Sequence, residues 1–296
     1  MSFIADEIAT QPQDWLHAQA TAADHAAVLP RPGERVAVIG CGTSLYMAQA
    51  FAALREGAGQ GLTDAFTPTE HRLHRGYDRL VAITRSGTTT EVVNLLAETR
   101  GSLPATVITS TADSPVLDLA DGILTPAIDE QSVVQTRFAT GTLAMLRWHL
   151  GEDLTEAAAQ AQRVLDADES SLGPAVDADQ ITFVGRGWTN GIAQEAGLKL
   201  RESAQCWTES YPMMEYRHGP VSISAPGRVV WAFGEPVDGF AADVARTGAH
   251  FESSSDDAMA DLLRIHRLCI VKARDRGLDP DQPRNLTRSI ILSPSA

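Results

Sequence analysis

The chain repeats one short unit. "RVAVIG" (35–40) is a β-branched run that ends in glycine and leads into "CGTSLYMAQAFAALRE", which has helical periodicity. "QITFVGRGWTNGIAQEAGLKLRE" (180–202) does the same again: strand, glycine-rich turn, helix. A strand that is apolar on both faces and turns directly into a helix belongs in a parallel sheet with helices covering each side. Further strands are predicted at "DRLVAIT" (78–84), "ATVITS" (105–110) and "GRVVWAFG" (227–234). Helices are predicted in "RSGTTTEVVNLLAETR", "SPVLDLA", "ATGTLAMLRWHL" (139–150), "GFAADVARTG" and "DLLRIHRLCIVKARDRG". The fold class is therefore α/β, with two doubly wound, flavodoxin-like parallel-sheet domains. An N-terminal helical segment is expected at 1–30, a first domain at 31–165, and a second domain at 175–296 that includes the C-terminal tail. The acidic, Gly/Pro-containing stretch "VLDADESSLGPAVDADQ" (164–180) separates the two domains.

In such folds, ligands sit beyond the carboxyl ends of the strands. The informative loops are then those after 39, 84 and 184. "ITRSGTTTE" sets Thr84, Ser86, Thr88, Thr89 and Thr90 around Gly87 at the start of a helix, beside Arg85. Hydroxyls and backbone N–H groups at a helix N-terminus hold anions, and glycine lets the backbone approach closely. Capping alone needs one such hydroxyl; five in seven residues point to a phosphate-type pocket. "GCGTS" (40–44) adds Thr43 and Ser44 after the first strand, so both loops can serve one small anion such as a sugar phosphate. Neither loop is a GxGxxG or Walker motif, which gives a dinucleotide or ATP little support; no cofactor is expected.

Charge narrows the partners. A formal net charge of −14 argues against nucleic acid, whose phosphates require a basic face. Cys41, Cys206 and Cys269 are widely spaced, consistent with a reducing compartment and with neither a disulfide framework nor a cysteine zinc site. His71 and His74 are flanked by arginines and read as a solvated segment, so no metal is expected. The N-terminus lacks a basic stretch followed by an apolar run, and no 18-residue apolar stretch occurs. The expectation is a cytoplasmic protein without a membrane span.

Five motifs in order, "GCGTS", "SGTTTEVV", "GRGWTNGIAQEAGLKLRE", "EYRHGPVS" and "DQPRNLTRS", resemble the sugar isomerase (SIS) family. The likeness is closest to the isomerase half of glucosamine-fructose-6-phosphate aminotransferase and to related amino-sugar-phosphate deaminases and isomerases, and it runs from "EIATQP" (7–12) to Arg288. It implies paired SIS domains, usually in a homodimer, and a hexose 6-phosphate substrate. Ser86 and Thr89 match family phosphate ligands, Thr43 and Ser44 match sugar contacts, and Val133 matches a position whose backbone touches the sugar. Glu202 matches the base that moves a proton between C1 and C2, and Lys199 a lysine close to it. His218 matches the ring-opening histidine, typically delivered by the neighbouring subunit. The tail matches the segment that closes the active site, with Thr287 and Arg288 reaching the sugar.

The residue types suit that chemistry. Enediol isomerisation needs a carboxylate that shuttles one proton between adjacent carbons, and Lys199 and Glu202, three apart, share a helix face. The bare alternative for those two residues is a surface ion pair. Ring opening needs a group that exchanges protons near neutrality, which suits histidine. Four departures matter. Arg85 in "TRSG" stands where the nearest relative has a glutamine, which adds positive charge beside the expected phosphate and makes Arg85 a further candidate phosphate ligand. Residue 2 is Ser where the aminotransferase's glutaminase domain needs a cysteine, so glutamine is not expected as nitrogen donor. The second domain is short between "HFESSSDD" and "DQPRNL", as if a strand–helix segment were trimmed. Arg288 stands where the aminotransferase has an imine-forming lysine, and a guanidinium remains protonated and forms no imine. The expected activity is isomerisation, or deamination with isomerisation, of a hexose or hexosamine 6-phosphate. The alternative is a non-catalytic SIS module that senses a sugar phosphate.

Overall fold

The computed structural model describes residues 2–292. The end of the expected tail, 293–296, lies outside the described residues. In chain order the elements are α1 (Phe3–Asp24), β1 (Val36–Ile39), α2 (Thr43–Gly57), β2 (Thr63–Phe66), β3 (Arg79–Ile83), α3 (Thr90–Thr99), β4 (Ala105–Thr109), β5 (Asp121–Leu124) and α4 (Arg137–His149). There follow α5 (Thr155–Asp166), β6 (Gln180–Gly185), α6 (Thr189–Ala204), β7 (Trp207–Pro212), β8 (Arg228–Ala232), α7 (Phe240–Ala245), β9 (His250–Ser253) and α8 (Ala258–Asp275).

The chain forms two compact units that trade segments. One contains Asp14–Glu130, Arg137–Leu154 and the chain from Thr287 onwards; the other contains the chain up to Gln13, Gln131–Thr136 and Thr155–Leu286. The N-terminal helical segment is thus split between units, and the tail packs with the unit built from the first half.

In the unit containing Asp14–Glu130, the sheet order is β2-β1-β3-β4-β5 and every neighbouring pair is parallel. All residues of β1 and β3 are buried, as central parallel strands require. Ala37, Ile39, Leu80, Ala82 and Val107 pack against Val92, Leu95 and Leu96 of α3. Each fully buried Leu, Ile or Val there contributes roughly 1.5–3 kcal/mol.

The other unit has the order β7-β6-β8-β9, again all parallel. Among the described residues this sheet has four strands, against five in its counterpart. On β8, Trp231 donates its Nε1–H to Asp261 of α8 at 2.9 Å, and the Arg264 guanidinium lies 4.4 Å from its ring centroid. Burial pushes the Asp261 carboxyl up to about 6.

The repeat is physical as well as sequential. Gly40 follows β1 and Gly185 ends β6, and a Cβ at either would strike backbone of the helix that follows. At Gly40 it would lie 2.5 Å from the Ser44 carbonyl carbon, and at Gly185 2.2 Å from the Thr189 carbonyl oxygen. Glycine is required in both places because the helix starts against the strand end, not because of φ. "SPVLDLA", expected as a short helix, forms only a 3-10 turn at Pro115–Asp118. Four strands (β2, β5, β7 and β9) and helix α5 had no sequence counterpart above.

We expect Gly185→Ala to destabilise its unit by about 3 kcal/mol, read by urea unfolding. Gly57→Ala, where nothing lies within 4 Å of the added carbon, should stay within about 0.5 kcal/mol of the parent. An unchanged Gly185→Ala midpoint would contradict the close-approach account.

Candidate active site

The order β2-β1-β3 makes the β1/β3 boundary the switch point of the five-stranded sheet, and the loops after those strands lie side by side. Thr43 and Ser44, both buried, open α2. Thr84, Arg85 and Ser86 are buried, and Gly87 turns the chain at φ 64°. A Cβ at Gly87 would lie 2.4 Å from Ser114 Oγ, so this turn needs both the left-handed backbone and the missing side chain. The Ser86 hydroxyl is 3.0 Å from Thr88 Oγ1, and α3 begins at Thr90. The predicted hydroxyl loop therefore sits on a helix N-terminus.

Arg85, a candidate phosphate ligand, pairs its charge with a carboxylate of the protein. Its side chain is 1% exposed, and Nη1 is 3.1 Å from the Glu130 carboxylate, itself fully buried. Glu130 also accepts the Arg137 N–H at 2.8 Å. The Arg85 carbonyl accepts from the Ser110 N–H at 3.1 Å and from the Thr109 hydroxyl at 2.9 Å. Arg85 thus anchors the loop from beneath. Sequence alone could not find its partner, since Glu130 is 45 residues away.

The tail crosses this loop. Arg288 donates to the Asp129 carboxylate and to the Glu130 carbonyl, and its own carbonyl lies 3.4 Å from Arg85 Nη2. Ser289 Oγ is 2.9 Å from Thr88 Oγ1, and the Thr90 N–H donates to the Ile290 carbonyl at 3.1 Å. The arginine at 288 consequently holds the tail down through the Asp129 carboxylate and the Glu130 carbonyl.

In the other unit, α6 places Glu195, Lys199 and Glu202 in a row. Lys199 is 1% exposed, with Nζ 2.6 Å from Glu202 and 3.5 Å from Glu195. Glu195 is fully buried, whereas the Glu202 side chain remains 18% exposed. Glu195 was missed above, although its i,i+4 spacing from Lys199 in "QEAGLK" is the signal that finds it. His266 of α8 is buried near Lys199 and 3.1 Å from Gln11 Nε2. Burial, and secondarily the Lys199 charge, push the imidazole down to about 3, so it is neutral beside the lysine.

His218 is exposed at the end of a 3-10 turn, Glu215–His218, in the same unit. The Val133 N–H donates to the Asp281 carbonyl at 3.4 Å. The loop after β6 lines a cavity of about 830 Å3 with Phe233–Asp238 and Asp256–Ala258. Its wall carries Glu235, Asp238, Asp256 and Asp257 against Arg186. The Thr189 hydroxyl there is already engaged with the Arg186 N–H and the Phe233 carbonyl, both at 2.9 Å. Unlike the loop after β3, this crevice offers an anion little. Among the described residues, no group of three His, Cys, Asp or Glu could hold a metal, and no helix is long and apolar enough to cross a membrane.

We expect Arg85→Gln to destabilise by about 3 kcal/mol in urea, because Glu130 is left buried without its guanidinium. Adding Glu130→Gln should recover a large part of that loss. Purely additive losses would show that the pair is not coupled.

No family model matches the chain. Its sequence is similar to the glutamine–fructose-6-phosphate aminotransferase [isomerizing] of Symbiobacterium thermophilum, 26% identical over 315 residues, which cover 87% of this chain and 52% of that protein. The chain thus spans about half the length of the curated relatives it matches. Its fold is similar to a glucosamine-6-phosphate deaminase from Thermotoga maritima, with TM-score 0.81 and 21% identity over 98% of this chain and 100% of that one. It is equally similar to the tagatose-6-phosphate ketose/aldose isomerase of Escherichia coli, with TM-score 0.82 and 17% identity over 100% and 97% of the two chains. The fold is thus one that a glucosamine-6-phosphate deaminase and a tagatose-6-phosphate ketose/aldose isomerase also have.

Proposed function

We propose that the chain is a phosphosugar isomerase that acts on a hexose or hexosamine 6-phosphate, with or without release of ammonia from C2. The observation that carries this reading is the row on α6. Lys199 is buried between two carboxylates, and of the three side chains Glu202 is the one that reaches solvent. Such a carboxylate is held in one place by an ammonium at 2.6 Å and can still touch a substrate carbon.

The chemistry assigns each group one task. The phosphate is taken by Ser86 and Thr89, with Thr88 beside them, while Thr43 and Ser44 contact the sugar. His218, delivered from the neighbouring copy of a homodimer, moves the proton that opens the ring. Glu202 then removes the C2 proton of the open aldose as the carbonyl oxygen on C1 is protonated, which gives the enediol. Return of that proton to C1, with loss of the proton on the C2 oxygen, gives the ketose. With nitrogen on C2 the same transfer passes through an enamine, whose imine tautomer water hydrolyses to ketose and ammonia. Lys199 keeps Glu202 oriented through their 2.6 Å ion pair. Arg288 excludes an imine between enzyme and ketose, because a guanidinium stays protonated.

The test is turnover of a panel of hexose and hexosamine 6-phosphates, scored for aldose–ketose conversion and for ammonia. One member should turn over, and Glu202→Gln should cut kcat about 100-fold or more while KM changes little. Stabilisation of the fold by a sugar phosphate with no turnover of any would support a sensing module instead.

A further inference from the structure

We propose that Ser289, in the C-terminal tail, is a fourth hydroxyl of the anion loop and a direct ligand of the substrate's phosphate. This inference rests on the reading of the Ser86–Thr89 loop as the phosphate site and adds a residue to it from about 200 positions away in the chain.

The hydroxyls form one connected line. Ser86 Oγ lies 3.0 Å from Thr88 Oγ1, Thr88 Oγ1 lies 2.9 Å from Ser289 Oγ, and Ser289 Oγ lies 3.5 Å from Thr89 Oγ1. Ser289 thus sits between the two threonines. Without an anion, each hydroxyl can satisfy its neighbour. With a phosphate present, the same rotors turn their protons towards its oxygens, because a hydrogen bond to a charged acceptor is the stronger one.

Backbone and ionic contacts fix Ser289 independently of its own hydroxyl. On one side, Arg288 is tied to Asp129 and to the Glu130 carbonyl. On the other, the Ile290 carbonyl accepts the Thr90 N–H at 3.1 Å and the Leu292 N–H donates to Thr90 Oγ1 at 2.9 Å. The strap therefore stays docked when the hydroxyl is removed, and a loss of binding reports on the hydroxyl. The strap also takes the Thr90 N–H, the first of α3, so hydroxyls must supply more of the anion's donors than a bare helix start would.

The experiment is calorimetric titration of the full chain with inorganic phosphate and with glucose 6-phosphate. Wild type, Ser289→Ala and Ser289→Thr are compared, with melting temperatures confirming that each is folded. We expect Ser289→Ala to bind both probes about tenfold more weakly, and Ser289→Thr to restore affinity to within about threefold. We also expect phosphate to slow tryptic cleavage after Arg288. Ser289→Ala binding as tightly as wild type, or more tightly, overturns the inference alone; the second result would make the strap a competitor of the anion. Failure of wild type to bind either probe overturns the anion-loop reading and this inference with it.

Discussion

The ion pair between Arg85 and Glu130 governs the unit that carries the hydroxyl loop. Two opposite charges removed from water are costly unless every remaining donor and acceptor finds a partner. Here the pair organises three separate stretches of chain. The Glu130 carboxylate also takes the Arg137 N–H at the start of α4. The Arg85 carbonyl gathers the end of β4. The Glu130 carbonyl and its neighbour Asp129 receive Arg288 from the tail. Such a pair contributes little net stability. What it supplies is position, since Arg85 is held below the Ser86–Thr89 loop.

The two sheets end in crevices of opposite chemistry, although both begin with the same strand–glycine–helix unit. The glycine requirement at Gly40 and Gly185 is the same clash in each. After that glycine they diverge. One loop keeps its hydroxyls together on a helix start, while the other spends Thr189 on its own backbone and is walled by acids. In the proposed function the anion therefore goes to the hydroxyl loop. Within its own unit, α6 carries a carboxylate backed by a buried lysine.

Much of this was legible in the sequence, and the gaps have one cause. The central strands β1, β3, β4, β6 and β8 announced themselves as apolar runs because both their faces are buried. The four strands not foreseen are the edges of the two sheets: β2 (TDAF), β5 (DGIL), β7 (WTESYP) and β9 (HFES). An edge strand is solvated on one side and tolerates Asp, Glu and Ser, so it lacks the run that marks a central one. Helix α5, rich in alanine and glutamine, buries only a narrow stripe and was equally quiet. At the site, the hydroxyl loop and the Lys199–Glu202 pair were visible because each is local in sequence. Arg85 suggested a ligand to the phosphate, and its burial on Glu130 was invisible because that partner is distant. Ser289 escaped for the same reason, as only the folded tail brings it to Thr88.

The proposed function gives the hydroxyl loop to the phosphate and Glu202 to the carbons that react. A crystal structure of the chain with a linear hexitol 6-phosphate tests it most directly, because an open-chain polyol binds without reacting. The account requires phosphate oxygens within hydrogen-bond distance of the Ser86 and Thr89 hydroxyls, and C1 and C2 beside the Glu202 carboxylate. Phosphate bound at the acidic crevice near Arg186, or carbons remote from Glu202, would contradict it.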